Sequence, residues 1–185
     1  MRVIAGDKKG RRLVTPEGMD TRPTSDKVKE ALFSIIQFEL DGADFLDLFA
    51  GSGQMGIEAL SRGANSVVFV DSGKKPCDCI RQNLASMGLL GYGEIVCRGV
   101  SEYLSSCTRK FDIVFMDPPY REGLIEPIFE KVTQVTRDSG VIICEIPRAA
   151  ELCEEVGGFS LRRRYRYGKT ELALFRKADA QTEIY

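Results

Sequence analysis

The segment Phe45-Leu46-Asp47-Leu48-Phe49-Ala50-Gly51-Ser52-Gly53-Gln54-Met55-Gly56 joins a short apolar run to a glycine-rich stretch. The run predicts a buried β-strand, and the three glycines match the G-x-G-x-x-G pattern that leads from a strand into a helix. Asp71 lies 20 residues after the first of these glycines, at the end of the next apolar run. Glycines let the backbone approach a ligand, and an acidic group at the second strand accepts both ribose hydroxyls. The glycines alone also fit a tight turn without a ligand, but together with Asp71 they favour a nucleoside cofactor.

Short strands and helices alternate along the chain from this segment onward. Apolar runs predict seven strands, over residues 45–49, 66–70, 94–97, 111–116, 141–146, 159–167 and 170–176. The spacing of apolar residues predicts helices over about 54–62, 74–87, 124–136 and 148–156. The alternation is typical of a doubly wound α/β fold with a mainly parallel sheet, and a hairpin turning at Gly168-Lys169 makes the last strand antiparallel.

An extension precedes this pattern. Residues 2–5 and 11–14 read as two short strands around a glycine-bracketed turn, which predicts a small β-hairpin. A loop follows, and Thr24 or Ser25 can cap a helix that has Asp26 in its first turn. We therefore expect a hairpin and loop extension over 1–23, a main domain over 24–177 and a tail over 178–185.

The charge of the chain is unevenly distributed. The 185 residues include 26 Lys and Arg against 27 Asp and Glu, a net charge of -1. By position, residues 1–29 carry a net +4, residues 30–160 a net -9 and residues 161–177 a net +6. Two basic ends around an acidic middle indicate a surface that faces a polyanion such as RNA, although a charge run is also typical of any solvated surface.

Several classes of protein are excluded by composition. The absence of His rules out Ser-His-Asp and Cys-His catalysis. Six cysteines without a C-x-x-C pair predict free thiols and no metal site. The apolar runs at 67–70 and 113–116 are far shorter than the ~20 residues of a membrane span, and the N-terminus lacks the apolar region of a secretory signal. We expect a cytoplasmic protein that binds neither metal nor membrane.

Two cofactors would suit the glycine-rich loop. A nicotinamide dehydrogenase needs a substrate domain and usually a proton-shuttling group, and a chain of 185 residues without His offers little room for either. Asp47, just before the glycines, would repel a pyrophosphate but would suit an ammonium or sulfonium charge. S-adenosylmethionine carries both charges and is therefore the predicted cofactor.

The segment Asp117-Pro118-Pro119-Tyr120 follows the fourth predicted strand immediately. Two prolines stiffen the turn, which fixes a carboxylate, a carbonyl and an aromatic ring at the carboxyl end of the sheet, where ligands bind in this fold. The Asp117 carboxylate and the Pro118 carbonyl can each accept one N–H of an exocyclic amine, while Tyr120 stacks on the base. Such contacts would position the amine nitrogen for attack on a methyl group without a strong general base. The alternative is a rigid turn whose Asp caps the next segment.

These motifs resemble those of Rossmann-like S-adenosylmethionine-dependent methyltransferases. Residues 47–53 are similar to their glycine-rich motif, Asp71 to the acid of their second motif and residues 117–120 to their (D/N)PPY motif. The flanking segments 2–6, 9–13, 21–33 and 167–170 resemble the RsmD family of bacterial 16S rRNA (guanine-N2)-methyltransferases. The likeness runs in the family's order over about residues 2–176.

The resemblance implies transfer of a methyl group to the N2 amine of one guanine in 16S rRNA, free or in an assembling small subunit, by a monomeric enzyme. It implies a catalytic group that holds the target base, made of Asp117, Pro118, Pro119 and Tyr120. It implies a cofactor site made of Asp47, Phe49, Gly51, Gly53, Asp71, Ser72, Val100 and Ser101. The resemblance places the segment with Arg22 and Thr24 beside the glycine-rich motif, where it would contact the substrate. The charge of the two basic ends separately predicts RNA contacts by Arg11, Arg12, Arg164 and Lys169.

The sequence departs from the family pattern near the third strand. The family usually shows an Asp-Ala pair there, whose Asp can bind the adenine amine of the cofactor, and the matching residues here are Val100-Ser101. Ser101 or a backbone carbonyl would have to replace that contact. Position 72 is Ser, where a charged residue is common in the family.

Two other functions remain open from the sequence. The (D/N)PPY motif also serves amino-methyltransferases that act on adenine in DNA or RNA or on a protein side-chain amide, although no target-recognition domain is visible in 185 residues. A non-catalytic RNA-binding assembly factor that kept the fold is the second, and the intact residues 117–120 argue against it.

Overall fold

Alternating helices and strands make up the parts of the chain that the computed structural model describes, which are residues 1–15, 26–118, 125–148 and 150–177. The helices are α1 (Asp26–Ile35), α2 (Gln54–Ser61), α3 (Lys74–Met87), α4 (Val100–Ser106) and α5 (Ile125–Val135), with a 3₁₀ turn at Leu90–Tyr92. The strands are β1 (Asp44–Leu48), β2 (Ser66–Asp71), β3 (Gly93–Cys97), β4 (Phe111–Met116), β5 (Thr136–Pro147), β6 (Glu155–Val156), β7 (Phe159–Tyr167) and β8 (Thr170–Lys177).

The strands form one sheet in the order β3-β2-β1-β4-β5-β8-β7-β6. Strands β1 to β5 pair in parallel, whereas β8 is antiparallel to β5 and β7 is antiparallel to β8. The doubly wound, mainly parallel sheet predicted from the sequence is confirmed. The strand order reverses between β1 and β4, and ligands in such folds bind outside the carboxyl ends of the strands at that point.

The sheet separates two apolar layers. Phe45, Phe69 and Ile113 face α1, α2 and α3, while their neighbours in sequence pack with α4 and α5 on the opposite face. The central strands are buried on both faces, as their nearly continuous apolar sequences require. Because side chains alternate along a strand, Asp47 projects from β1 to the same face as Phe45, toward α2.

The prediction of a helix over 148–156 is wrong for its described residues, and this region supplies an eighth strand. Glu155–Val156 forms β6, which pairs antiparallel with the start of β7. Gly157 and Gly158 connect the two strands with φ angles of 55° and 79°. A two-residue hairpin turn needs φ above zero at both positions, which two glycines supply without strain.

The other helices and strands differ less between the prediction and the structure. The predicted helices at 54–62, 74–87 and 124–136 are observed with ends shifted by no more than one residue. Strand β5 begins at Thr136, five residues before the prediction, and α4 was missed because its seven residues are too short for a helical period to show.

The first 15 residues, here called the N-terminal arm, form a loop rather than two full strands. Its antiparallel pairing consists of an isolated bridge between Arg2 and Arg12, supported by backbone bonds from Val3 to Arg11 and from Gly10 to Val3. The predicted boundary at residue 23 and the tail over 178–185 lie outside the described residues. Among the helices described, none combines the length and apolar character needed to cross a bilayer.

Candidate functional site

Three carboxylates converge at the carboxyl edge of the sheet. Asp47 lies near the end of β1, Asp71 ends β2 and Asp117 follows β4 directly. The three strands are neighbours, with Leu48 of β1 in register with Val70 on one side and Met116 on the other. The sequence-predicted cofactor and catalytic acids are therefore brought together by the strand order. A cluster of carboxyl groups favours a cationic ligand group, because a nearby cation stabilises their ionised forms.

Asp47 is buried beneath the glycine-rich loop, with only 1% of its surface exposed. Burial raises the pKa of its carboxyl to about 8, and the charges of Asp117 and Asp71 add to this increase, against the opposing effect of the Gly56 N–H. That N–H donates to Asp47 Oδ2 at 2.9 Å. The geometry gives Asp47 two functions, since it supports the start of α2 and carries a titratable charge beside the site.

The loop between β1 and α2 has an unusual backbone. Phe49 has a left-handed φ of 62°, which is rare for an aromatic residue and typically costs about 1–3 kcal/mol. Gly51 and Gly53 follow with φ angles of 57° and 75°. Asp71 holds the loop in place, because its carboxylate accepts the Gly51 N–H at 2.9 Å and the Gly73 N–H at 2.8 Å. Each Asp71 oxygen retains accepting capacity for a ribose hydroxyl.

The glycines of the loop have different physical roles. A Cβ added to Gly51 would have only the Phe49 carbonyl oxygen nearby, at 4.0 Å, so this glycine leaves open space for a ligand. A Cβ on Gly53 would lie 3.1 Å from a side-chain carbon of Ile80. Gly53 therefore serves close packing of the loop on α3 as well as the cofactor site predicted from the sequence.

Gly56→Ala is expected to destabilise the fold by about 2 kcal/mol or more. Its new Cβ would lie 2.3 Å from Cε1 of Phe69 and 2.7 Å from Cγ1 of Val67, both fully packed on β2. Gly99→Ala is the matched control, because no atom lies within 4 Å of its added Cβ. Urea unfolding of both variants measures the difference, and equal midpoints for the two would contradict the close packing of α2 on β2.

The Asp117-Pro118 corner is described only in part. Asp117 is half-buried, Pro118 is buried, and the first proline ring follows the last strand residue by two positions. Pro119 and Tyr120 lie outside the described residues, as do Arg22 and Thr24, so their predicted roles stay predictions.

The predicted adenine contacts lie at the ends of β2 and β3. Ser72 is exposed beside Asp71, and Val100 is buried at the start of α4. The Ser101 hydroxyl accepts a hydrogen bond from Lys131 Nζ at 2.8 Å, an interaction that links α4 to α5. Its hydroxyl proton remains able to donate to a ligand.

The two basic clusters differ in their pairing. Arg164 and Arg166 bond the Glu171 carboxylate, at 3.3 Å and 3.2 Å. Lys169 is exposed at the turn between β7 and β8. Because Thr170 pairs with Pro147 at the end of β5, this turn lies at the same sheet edge as Asp117.

The N-terminal arm carries the other cluster along α2 and α3. Arg12 is exposed, and Arg11 donates to the Ser86 carbonyl at 2.7 Å near the end of α3. The amide N–H of Lys8 bonds Ser61 at the end of α2, about 12 Å along the helix from the glycine-rich loop. The structure thus places Lys169, but not the tip of the arm, at the sheet edge that carries Asp117.

Buried polar residues that hold the arm were missed in the sequence. Glu58 of α2 accepts the N–H groups of Ile4 and Ala5 at 2.8 and 2.9 Å and pairs with the buried Lys29 at 3.6 Å. Asn83 of α3 binds Val14 through both its amide oxygen and its amide nitrogen. No local pattern distinguishes these residues from solvent-facing helix positions, because their partners are backbone groups more than 50 residues away.

Comparisons with known proteins identify relatives over nearly the whole chain. A family model described as conserved hypothetical protein 95 matches residues 1–176. YlbH of Bacillus subtilis, provisionally named an rRNA methyltransferase, is 39% identical over 96% of this chain and 99% of its own. The ribosomal RNA small subunit methyltransferase D of Escherichia coli is 36% identical over 68% of this chain and 63% of its own. The solved structure of yhhF from Escherichia coli, provisionally described as a methyltransferase, superposes with a TM-score of 0.87 at 30% identity, over 97% of this chain and 99% of that one.

Proposed function

The chain belongs to the RsmD family, whose model is described as conserved hypothetical protein 95, and we propose that it methylates the exocyclic N2 amine of a guanine in 16S rRNA. It is an S-adenosylmethionine-dependent rRNA methyltransferase. One observation supports the finer proposal. Asp47, Asp71 and Asp117-Pro118 lie at the carboxyl ends of β1, β2 and β4, and these three strands are neighbours in the sheet. This arrangement supports a cofactor and a target amine side by side.

S-adenosylmethionine matches the charges and hydrogen bonds of the loop. Its ammonium and sulfonium groups suit the carboxyl groups of Asp47 and Asp71, because a bound cation stabilises the ionised form of a buried carboxyl. Its ribose hydroxyls suit the two oxygens of Asp71, which already receive one backbone N–H each. Gly51 leaves space for the ligand on the open side of the loop. In the proposed site, Phe49, Ser72, Val100 and Ser101 border the adenosine.

Methyl transfer at this site needs positioning more than proton abstraction. The proposed roles of Asp117 and Pro118 are to accept the two N–H groups of the target amine through a carboxylate and a carbonyl oxygen. Bound beside these residues, S-adenosylmethionine would supply its methyl group to the amine nitrogen, and the electron pair of the broken carbon–sulfur bond would remain on the sulfur of S-adenosylhomocysteine. The methylated nitrogen releases one proton to the Asp117 carboxylate or to water. Preorganised acceptors of this kind act electrostatically in the transition state.

The proposed substrate is 16S rRNA, free or in the assembling small subunit, and the enzyme is proposed to be a cytoplasmic monomer. A target guanine splayed from its loop would reach the corner formed by residues 117–120, where the proposed role of Tyr120 is to stack on it. The proposed RNA contacts are Arg11, Arg12, Arg22, Thr24, Arg164 and Lys169. Of these, Lys169 has direct support from its exposed place at the catalytic edge.

Removing charge at Lys9 and Arg12 is expected to weaken rRNA binding and to reduce the slope of log affinity against log salt by about 0.7–0.9 per charge. Both residues lie exposed on the N-terminal arm. Lys110→Ala is the contrasting variant, because Lys110 is exposed directly before β4, at the opposite end of this strand from Asp117, and is not among the proposed RNA contacts. Filter binding over a range of salt concentrations reports the slope. A slope equal to that of the wild type would remove the arm from phosphate binding.

The proposed function is tested with labelled S-adenosylmethionine and four substrates: small-subunit particles, naked 16S rRNA, duplex DNA and unrelated protein. Nucleoside mass spectrometry identifies the product. We expect N2-methylguanosine with a ribosomal substrate and no label in DNA or protein. Methyladenine or methylated protein would instead assign another amino-methyltransferase. Tight RNA binding without transfer would assign a non-catalytic assembly factor.

A further inference from the structure

The side chain of Asn83 joins two separate parts of the molecule. Asn83 lies on α3 and is 1% exposed. Its Nδ2 donates to the Val14 carbonyl and to the Ser52 carbonyl, both at 3.0 Å, and its Oδ1 accepts the Val14 N–H at 2.8 Å. Ser52 belongs to the glycine-rich loop, whereas Val14 lies at the end of the N-terminal arm. One amide therefore connects the cofactor loop to the arm.

The Asn83 amide and its Ser52 partner are buried, whereas Val14 is 46% exposed and its bonds to Asn83 are partly buried. The Val14 carbonyl also accepts a bond from the Cys79 thiol at 3.1 Å. Leaving a buried amide without its partners costs about 1–3 kcal/mol, so separating Asn83 from these backbone groups is unfavourable. A primary amide is the side chain that supplies two donors and an acceptor in one plane, as these three contacts require.

The loop has few other ways to shift. Gly53 packs on Ile80, one turn before Asn83 on the same helix, and the Gly51 N–H is fixed by Asp71. A ligand that restricts the motion of residues 51–53 therefore also restricts the motion of the part of α3 to which Val14 is hydrogen-bonded. The opposite end of the arm is attached separately, through Glu58 and Ser61 of α2.

We propose that Asn83 is a positioning residue that couples cofactor binding at the glycine-rich loop to the order of the N-terminal arm. The inference rests on the proposed function in two respects, that the loop binds S-adenosylmethionine and that the arm binds RNA. A ligand that orders Ser52 also orders Val14 through the shared amide. Because coupling between two sites is reciprocal, RNA bound to the arm holds the cofactor more tightly. The arm leads directly to residues 16–25, which carry Arg22 and Thr24.

Two variants separate this coupling from simple support of the arm. Asn83→Asp keeps the shape of the side chain and the oxygen that accepts the Val14 N–H, but replaces the nitrogen that donates to the Ser52 and Val14 carbonyls by an oxygen. The Val14 carbonyl keeps its bond from the Cys79 thiol, whereas the Ser52 carbonyl loses its bond to α3. Ser61→Ala is the matched control. Ser61 accepts the Lys8 N–H at 2.9 Å and donates to the Ala5 carbonyl at 2.6 Å, so its loss weakens the arm without touching the loop.

The test is hydrogen exchange of the arm amides in the full chain, with and without saturating S-adenosylhomocysteine, whose binding is measured separately by calorimetry. We expect the ligand to slow exchange at Val14 by about 5-fold or more in the wild type and in S61A, and to leave it unchanged in N83D. A second readout is the Kd ratio for S-adenosylhomocysteine with and without small-subunit particles, which should approach one in N83D.

The outcomes distinguish the coupling from the proposed function. If the wild type binds S-adenosylhomocysteine but exchange at Val14 does not change, the coupling is overturned and the methyltransferase function stands. This comparison needs no variant, so it holds even if N83D folds poorly. If N83D keeps the wild-type protection, Asn83 is not the connection. If the wild type binds neither S-adenosylmethionine nor S-adenosylhomocysteine, the proposed cofactor site fails together with the coupling.

Discussion

Asp117→Ala is expected to lower the turnover number for methyl transfer by about 10³-fold, because it removes the group proposed to accept a hydrogen bond from the amine in the transition state. Cofactor binding should not weaken. The Asp117 charge contributes to the raised pKa of Asp47, so its removal lowers that pKa and leaves more Asp47 ionised at neutral pH. Single-turnover kinetics and calorimetry with S-adenosylhomocysteine measure the two effects independently.

The control for this prediction is Asp117→Asn, which keeps one oxygen acceptor in nearly the same place. Its activity should lie between that of the wild type and that of D117A. Activity of D117A within tenfold of the wild type would remove Asp117 from the chemistry. A parallel loss of cofactor affinity and turnover would instead make Asp117 a cofactor ligand rather than a substrate contact.

Asp47→Asn is expected to weaken cofactor binding by about 100-fold while stabilising the free protein near neutral pH. The two effects have one cause. Asp47 is buried and its pKa is raised to about 8, so the folded chain carries a proton there that the unfolded chain, with a pKa of 3.8, has lost at pH 7. Asparagine is neutral at every pH and keeps an oxygen for the Gly56 N–H. Thermal unfolding and calorimetry measure stability and affinity.

The pH dependence of both quantities follows from the same carboxyl group. A pKa that is raised on folding stabilises the protein fully below the unfolded pKa, and this contribution is lost as the pH rises through the folded pKa. The free energy of unfolding of the wild type should therefore fall between about pH 4 and pH 8 relative to that of D47N. Cofactor affinity should rise with pH over the upper part of the same range, because a cation binds the ionised form of Asp47. Well below pH 8, the affinity should increase by about tenfold for each pH unit.

Proton release provides the most direct check on Asp47. If cofactor binding ionises this carboxyl, calorimetry in buffers of different ionisation enthalpy should detect close to one proton released per ligand near pH 7 in the wild type, and none from this group in D47N. If affinity and stability depend on pH in the same way in the wild type and in D47N, the group that titrates is not Asp47.

Local sequence determined the elements that carry the site. The apolar run at 45–49, the glycines at 51, 53 and 56 and the acid at 71 specify a strand, a turn and a helix from nearest-neighbour backbone and packing preferences. The same holds for the strand before Asp117. Each of these features occupies a short contiguous segment, so it can be predicted without a partner from elsewhere in the chain.

The eighth strand, β6, is an element that the local sequence pattern did not predict. Residues 148–156 contain helix-forming residues such as Ala and Glu, and a helix was predicted there. The chain instead turns at Gly157-Gly158, and Glu155–Val156 pairs with β7, which itself pairs with β8. A strand of two residues has too little sequence to show alternation, and it exists because a sheet edge is available for pairing.

By itself, the sequence determined the fold class, the glycine-rich turn after β1, and the positions of Asp71 and Asp117 at the ends of their strands, because each depends on a short contiguous segment whose conformation is set locally. Only the tertiary structure decided that Asp47 is buried with a raised pKa, that Arg164 and Arg166 are paired with Glu171, and that Asn83 joins the arm to the loop. Each of these depends on burial or on a partner distant in sequence. Desolvation and long-range hydrogen bonds arise only when the chain has folded, so no local pattern encodes them.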